Sequence, residues 1–202
     1  MTLLHIDASI LDHQSVSRQL TATIVERLTE GKPGIQVVRT DLAADPIGHL
    51  SAAEFLAFQG VEPQDEATKQ QVARNEQFLT DFLAAEIVVI GAPMYNFSLP
   101  TQLKAWLDRI AVAGKTFRYS ATGVEGLAGG KRVIVASTRG GLFSEGAPAA
   151  SLDHQETYLR GIFGFVGIND VTFVRAEGLA LGDETRKAAV ATAIAQVEQL
   201  AA

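Results

Sequence analysis

The sequence predicts an α/β fold in which a five-stranded parallel sheet is covered on both faces by helices. Three observations predict it. Short β-rich runs recur at Leu3–Asp7, Ile35–Thr40, Ile87–Gly91, Arg132–Ser137 and Asp170–Arg175. Longer stretches with helical spacing mainly separate them. The runs are continuously apolar rather than alternating, as strands buried on both faces require.

Taken in order, the first run begins almost at Met1, which predicts no secretory signal ahead of it and a cytoplasmic protein. Leu20, Ile24 and Leu28 then form one helical stripe. After the second run comes a long crossover, Asp41 to Glu86, with helices expected near Ser51–Phe58 and from about Asp65 to Ala84; it is the segment best placed to be an insertion or to face a partner. Leu103, Trp106, Leu107 and Ile110 form the next stripe, and Pro100 suits the first turn of that helix, where a missing N–H costs little. The glycine-rich stretch Gly114 to Gly130, carrying Phe117 and Tyr119, predicts a hairpin. Gly161, Gly164 and Gly167, three apart, predict close backbone packing along one helix face, and Val190, Ile194 and Val197 form the last stripe.

Composition bounds the chemistry. The 202 residues suit one domain spanning 1–202 with a core that needs no staples. Apolar residues at 47% and charged residues at 20% are those of a globular protein. With no cysteine, thiolate nucleophiles, iron–sulfur clusters and Cys-based zinc sites are excluded, so redox chemistry requires an organic cofactor. A net charge of −6 with no basic block opposes nucleic acid and anionic membranes as partners. No apolar run approaches the roughly 20 residues of a spanning helix. His5, His13, His49 and His154 match no metal-ligand spacing, and His5 reads as a buried, hydrogen-bonded strand residue. No GxSxG is present to mark a hydrolase serine.

In an open α/β sheet, ligands bind outside the carboxyl ends of the strands. Three loops there carry candidate residues. Ser9 and Ser15-Val16-Ser17-Arg18, leading into a helix, offer hydroxyls and free N–H groups to an anion, or alternatively a plain helix cap by Ser15 or Ser17. The loop lacks the glycines of a dinucleotide fingerprint or a P-loop. Met94-Tyr95-Asn96-Phe97 offers polarizable and aromatic surface with backbone donors, suited to a flat heteroaromatic ring. Thr138-Arg139-Gly140-Gly141 lets backbone N–H groups approach a ligand, although read alone it is a turn with a solvated arginine.

The chain resembles the FMN-dependent NADH azoreductases, which also act as NADH:quinone oxidoreductases. The resemblance is carried by Asp41–Ile47, Ala92–Phe97, Thr116–Tyr119, Thr138–Gly141, Gly164–Ile168 and Ala176–Gly178. It implies a flavodoxin-like, doubly wound sheet of order 2-1-3-4-5 holding FMN. It further implies phosphate contacts from Ser9 and Ser15–Ser17, ring contacts from Met94–Phe97, and contacts to the pyrimidine side of the ring from Thr138–Gly141; that family often has serine at position 138, and Thr138 keeps the hydroxyl. NADH, quinones and aromatic azo compounds are the implied reactants, in ping-pong order. No catalytic side chain is required, because the flavin performs hydride transfer. Phe58, Phe117 and Tyr119 are candidate substrate contacts, and the aromatic segments Phe55–Phe58 and Phe117–Tyr119 imply a homodimer with active sites at its interface. The alternative is a flavodoxin-type electron carrier without an organic substrate, which the long Asp41–Glu86 segment opposes.

Overall fold

The computed structural model describes residues 1–200. Strands β1 (Thr2–Asp7), β2 (Gln36–Asp41) and β3 (Ile87–Pro93) are followed by the short β4 (Phe117–Ser120) and β5 (Gly123–Gly126), then β6 (Arg132–Thr138) and β7 (Asp170–Ala176). Helices are α1 (Val16–Thr29), α2 (Ala52–Phe58), α3 (Glu66–Ala84), α4 (Thr101–Ile110), α5 (Gln155–Phe165) and α6 (Asp183–Glu198). The main sheet is parallel, in the order β2-β1-β3-β6-β7, with β4 and β5 paired separately as an antiparallel hairpin. Counting only the five strands of the sheet, this is the expected order.

Successive side chains of a strand point to opposite faces, so one apolar run furnishes two cores. Leu4 and Ile6 of β1, Val88 and Ile90 of β3, and Val133 and Val135 of β6 pack with Phe78 and Phe82 of α3, Trp106 and Ile110 of α4, and Leu159 and Phe163 of α5. Leu3, Val89, Ile134 and Val174 pack on the other face with Leu20, Ile24 and Leu28 of α1 and Val197 of α6. The sheet is thus doubly wound. Strand β2 departs from the continuous burial expected: it lies at the sheet edge, and its residues are exposed or half-buried.

The long crossover is braced rather than loose. Ser51 and Glu54 form a capping box at the start of α2, and Asp65 caps α3 through Thr68. Glu54 then accepts hydrogen bonds from Asn75 of α3 (3.0 Å) and Arg109 of α4 (2.8 Å), tying three helices together. Two expectations are corrected. A Cβ at Gly161 or Gly164 would meet nothing within 4 Å, because both lie on the outward side of α5; only Gly167, at φ +93° beyond the helix end, makes the close approach, against Gly126. His5 is buried, but its Nε2, 3.3 Å from Asp7 Oδ2, lacks a hydrogen-bond partner and has only an ion-pair distance. Among the described residues, no helix is long and apolar enough to cross a membrane.

Candidate cofactor site

The loops after β1, β3, β6 and β7 emerge together at the carboxyl edge of the sheet, around an open cavity of about 220 Å³. Its wall includes Ser9, Ser15, Val16, Met94, Tyr95, Thr138, Arg139 and Gly140. Eight of the twelve expected cofactor residues thus converge here. A second cavity, of about 440 Å³, lies across Tyr95 and Asn96, against Lys104 and Tyr158.

At the α1 end, the helix-cap reading of the serine loop is seen directly, and it leaves donors over. Ser15 is the N-cap, its side chain accepting from the Arg18 N–H, while its Oγ lies 3.0 Å from that of Ser17. Capping takes one amide; those of Val16 and Ser17 have no acceptor among the described residues. Open amides and the dipole at a helix start favour an anion. Ser9 Oγ lies 3.3 Å from the Tyr95 hydroxyl, joining this loop to the next. Arg18 is turned away: its guanidinium donates to the Ser9 carbonyl and to both oxygens of Asp41. That bond, outweighing the upward push of burial and aided by the Ala43 and Ala44 amides, holds the Asp41 carboxyl at about 2.

The β3 loop is a two-residue turn. Tyr95 and Ser98 exchange both backbone hydrogen bonds, at 2.9 and 3.1 Å, and Asn96 and Phe97 between them sit at φ 48° and 70°. A phenylalanine in the left-handed region is strained, and such outliers cluster at ligand sites. The turn leaves the Asn96 and Phe97 amides without acceptors among the described residues and leaves Phe97 45% exposed. Phe97 meets Phe143 edge-on at 6.0 Å, and its carbonyl accepts from the His154 N–H. Ser17, Asn96, Phe97 and Gly141 belong to the same loops without lining the cavity wall.

Arg139 is the clearest departure from expectation. Far from being solvated, its guanidinium is fully buried among Asp153 (2.8 Å), Glu156 (2.6 Å) and Glu177 (3.0 Å), with Gln155 Oε1 accepting from Nε. Glu177 also accepts from the Phe143 N–H and the Ser144 hydroxyl. Burial pushes the Glu177 carboxyl up, but these bonds prevail and hold it below its ordinary value. The cluster pins the loops after β6 and β7 together, and the Gly140 and Gly141 amides are again without acceptors among the described residues.

Sequence reasoning missed Leu11, Gln14, Pro93, Leu179, Ala180 and Arg186, which also line the cavity. Leu179 and Ala180 directly follow Ala176–Gly178, so the loop after the last strand was the available signal. The candidate substrate residues are not brought here. Phe58 is half-buried at the end of α2. The hairpin grows from the connection between the end of α4 and the start of β6, at the opposite, amino edge of the sheet. Phe117 there is 8% exposed and packs on Phe165 at 4.5 Å, so it anchors the hairpin; Tyr119 is 74% exposed.

Comparison with known proteins agrees with this fold. The model of the Flavodoxin_2 family, described as a flavodoxin-like fold, matches residues 1–201. An FMN-dependent NADH:quinone oxidoreductase of Methylocella silvestris is 57% identical over 191 residues, 94% of each chain. The FMN-dependent NADH:quinone oxidoreductase 2 of Bradyrhizobium diazoefficiens is 50% identical over the full length of both. The crystal structure of an FMN-dependent NADH-azoreductase from Bacillus anthracis in complex with FMN superposes with a TM-score of 0.88 at 28% identity, covering 98% of this chain and 96% of that one.

Proposed function

The chain belongs to the Flavodoxin_2 family, and from that premise we propose that it is an FMN-dependent NADH:quinone oxidoreductase that also cleaves aromatic azo compounds reductively. One observation carries the reading: three loops that leave a single sheet edge each carry a pair of backbone amides with no acceptor among the described residues, at Val16–Ser17, Asn96–Phe97 and Gly140–Gly141, and all three loops contribute to the wall of one cavity. A phosphorylated cofactor with a flat, acceptor-rich ring fits such a donor set.

Ser9, Ser15, Val16 and Ser17 hold the phosphate, Met94 to Phe97 line the ring, and Thr138 to Gly141 meet its pyrimidine side, Arg139 through its backbone alone. Bound FMN supplies hydride transfer, so the protein's part is orientation and electrostatics. In this reading the Gly140 and Gly141 amides would stabilise negative charge at the pyrimidine edge without reorganising. The exposed face of the Phe97 turn lets NADH and a flat acceptor occupy one position in turn, which is ping-pong order.

In the same reading the protein is a homodimer with its sites at the interface. Phe55, Leu56 and Tyr119 are exposed apolar or aromatic side chains outside the regular βα units, and a stable dimer buries on the order of 1,200 Å² or more in total. Tyr119 stands on the edge away from its own chain's ring loop, so a second copy would bring it to an acceptor. The purified protein should be yellow and release FMN rather than FAD. Anaerobic stopped-flow mixing with NADH should bleach it before any acceptor is added, and quinone and azo turnover should give parallel double-reciprocal lines. A chain that holds FMN but is not reduced by NADH is an electron carrier, and the proposal fails.

A further inference from the structure

Three guanidinium groups stand close to the cavity, and two are committed. Arg18 is held by Asp41 and the Ser9 carbonyl, and Arg139 is enclosed by three carboxylates. Arg186, in the first turns of α6, lines the same cavity as Gln14, Ser15 and Val16. Its side chain has no hydrogen-bond or ion-pair partner among the described residues, whereas its neighbour Lys187 is paired with Glu184. Helices α1 and α6 lie side by side on one face of the sheet, so both N-terminal ends open on the cavity. An exposed cation with no carboxylate partner among the described residues, on the cavity that Ser15 and Val16 also line, can receive an anion from solvent.

Building on the FMN reading above, we infer that Arg186 is a phosphate-binding residue of this site and makes the chain prefer FMN over riboflavin. The serine hydroxyls and amides give directional bonds but no net charge, and Arg186 supplies the charge. Being exposed, it acts at moderate strength: one charge-assisted contact of this kind amounts to about tenfold in affinity, less at high salt.

The test is titration of the full chain, freed of flavin, with FMN and with riboflavin, read by quenching of flavin fluorescence, for wild type, Arg186→Gln and Arg186→Lys. The expected result for Arg186→Gln is an FMN Kd raised about tenfold, riboflavin affinity unchanged and a shallower dependence of FMN affinity on salt; Arg186→Lys should recover most of the loss. Equal weakening of both flavins, or no change in FMN affinity, overturns the inference. So does an unchanged FMN Kd with a raised KM for NADH, which would assign Arg186 to the nucleotide. Wild-type protein that binds neither flavin would instead overturn the cofactor reading itself, and the role of Arg186 with it.

Discussion

Replacing Glu54 by glutamine tests whether the long crossover is locked to the body of the protein by a buried charge. The carboxylate is 5% exposed and accepts from Arg109 Nη2 (2.8 Å), Asn75 Nδ2 (3.0 Å) and the Ser51 amide (2.8 Å). Burial pushes its pKa up, but the bonds from Asn75 and Ser51 and the charge of Arg109 outweigh that and hold it at about 2, against 4.5 when unperturbed. At about 1.4 kcal/mol per pH unit, the difference corresponds to roughly 3 kcal/mol of folding stability. Because the folded pKa is depressed, that contribution is complete above pH 4.5 and is lost as pH falls toward 2. Stranding the Arg109 cation in the interior is an independent route to a similar figure, about 3–5 kcal/mol. Glu54→Gln should therefore lower stability by about 3 kcal/mol at pH 7, moving the urea midpoint down by roughly 1 M or more, and the gap to wild type should narrow by about 2 kcal/mol at pH 3. Both proteins are compared without flavin, since a ligand bound only by the native state would mask the change. A loss below about 1 kcal/mol at pH 7, or a gap of equal size at both pH values, would refute the reasoning. Since α2 also carries Phe58, the variant should shift acceptor preference if that residue meets substrate.

Replacing Ser15 and Ser17 together by alanine should raise the FMN Kd on the order of 100-fold while leaving kcat of the saturated holoenzyme within about twofold, because phosphate contacts are uniform binding; unchanged affinity with lost stability would mean the serines only cap the helix. Gly126→Ala places a Cβ 2.1 Å from the Gly167 nitrogen, with backbone on both sides, so differential scanning calorimetry should show a Tm lower by roughly 5 °C or more, and a Tm within 1–2 °C of wild type, an approximate margin on the same scale, would mean the hairpin packs elsewhere. Tyr119→Ala should change the ratio of kcat/KM between quinone and azo acceptors with FMN content unaltered, and activity per chain should fall on dilution in step with dimer dissociation seen by sedimentation; a monomer of constant specific activity would exclude a shared site.

The strands and helices were legible because their signals are local and redundant. Leu3-Leu4 or Val88-Val89 serves two cores at once, and a continuous apolar run is the direct consequence; Leu20, Ile24 and Leu28 repeat at helical spacing and are all buried. That the three loops would meet was legible because strand polarity puts them on one edge. What could not be read was which side chains in those loops are spoken for. Arg139 looked like a turn residue because its partners, Asp153, Glu156 and Glu177, are 14 to 38 positions away, and the pairings exist only once β6, β7 and the start of α5 are packed together. Arg186 gave no signal at all, since it lies on the exposed side of a helix and is distinguished only by lining the cavity without a partner among the described residues. Gly161 and Gly164 misled for the opposite reason: their spacing is that of a packing face, but spacing does not say which face of α5 meets the sheet.

The commitment of Arg18 and Arg139 bears on how the site works. Direct contact with the ligand would leave each guanidinium on a mobile stem, at the cost of side-chain entropy on binding. Spent inside the protein, they tie one loop to its neighbour: Arg18 joins α1 to the end of β2, and Arg139 joins the loops after β6 and β7 to the start of α5. Displacing either loop would strand a carboxylate or a guanidinium in a poorly solvated place, which costs several kcal/mol, of order 3–5. Loops held that firmly keep their amides aimed without reorganising when a ligand arrives, and fixed dipoles are the form of electrostatic stabilisation that hydride chemistry at a flat ring can use. The strain at Phe97 fits the same scheme. A left-handed phenylalanine persists only where the surroundings over-determine it, and here the paired Tyr95–Ser98 bonds, the edge contact to Phe143 and the His154 amide hold it from three directions. If Met94 to Phe97 line the ring as proposed, the rigidity would lie in the loop that holds the cofactor, and the exposed side of Phe97 would be left for NADH and acceptor to exchange.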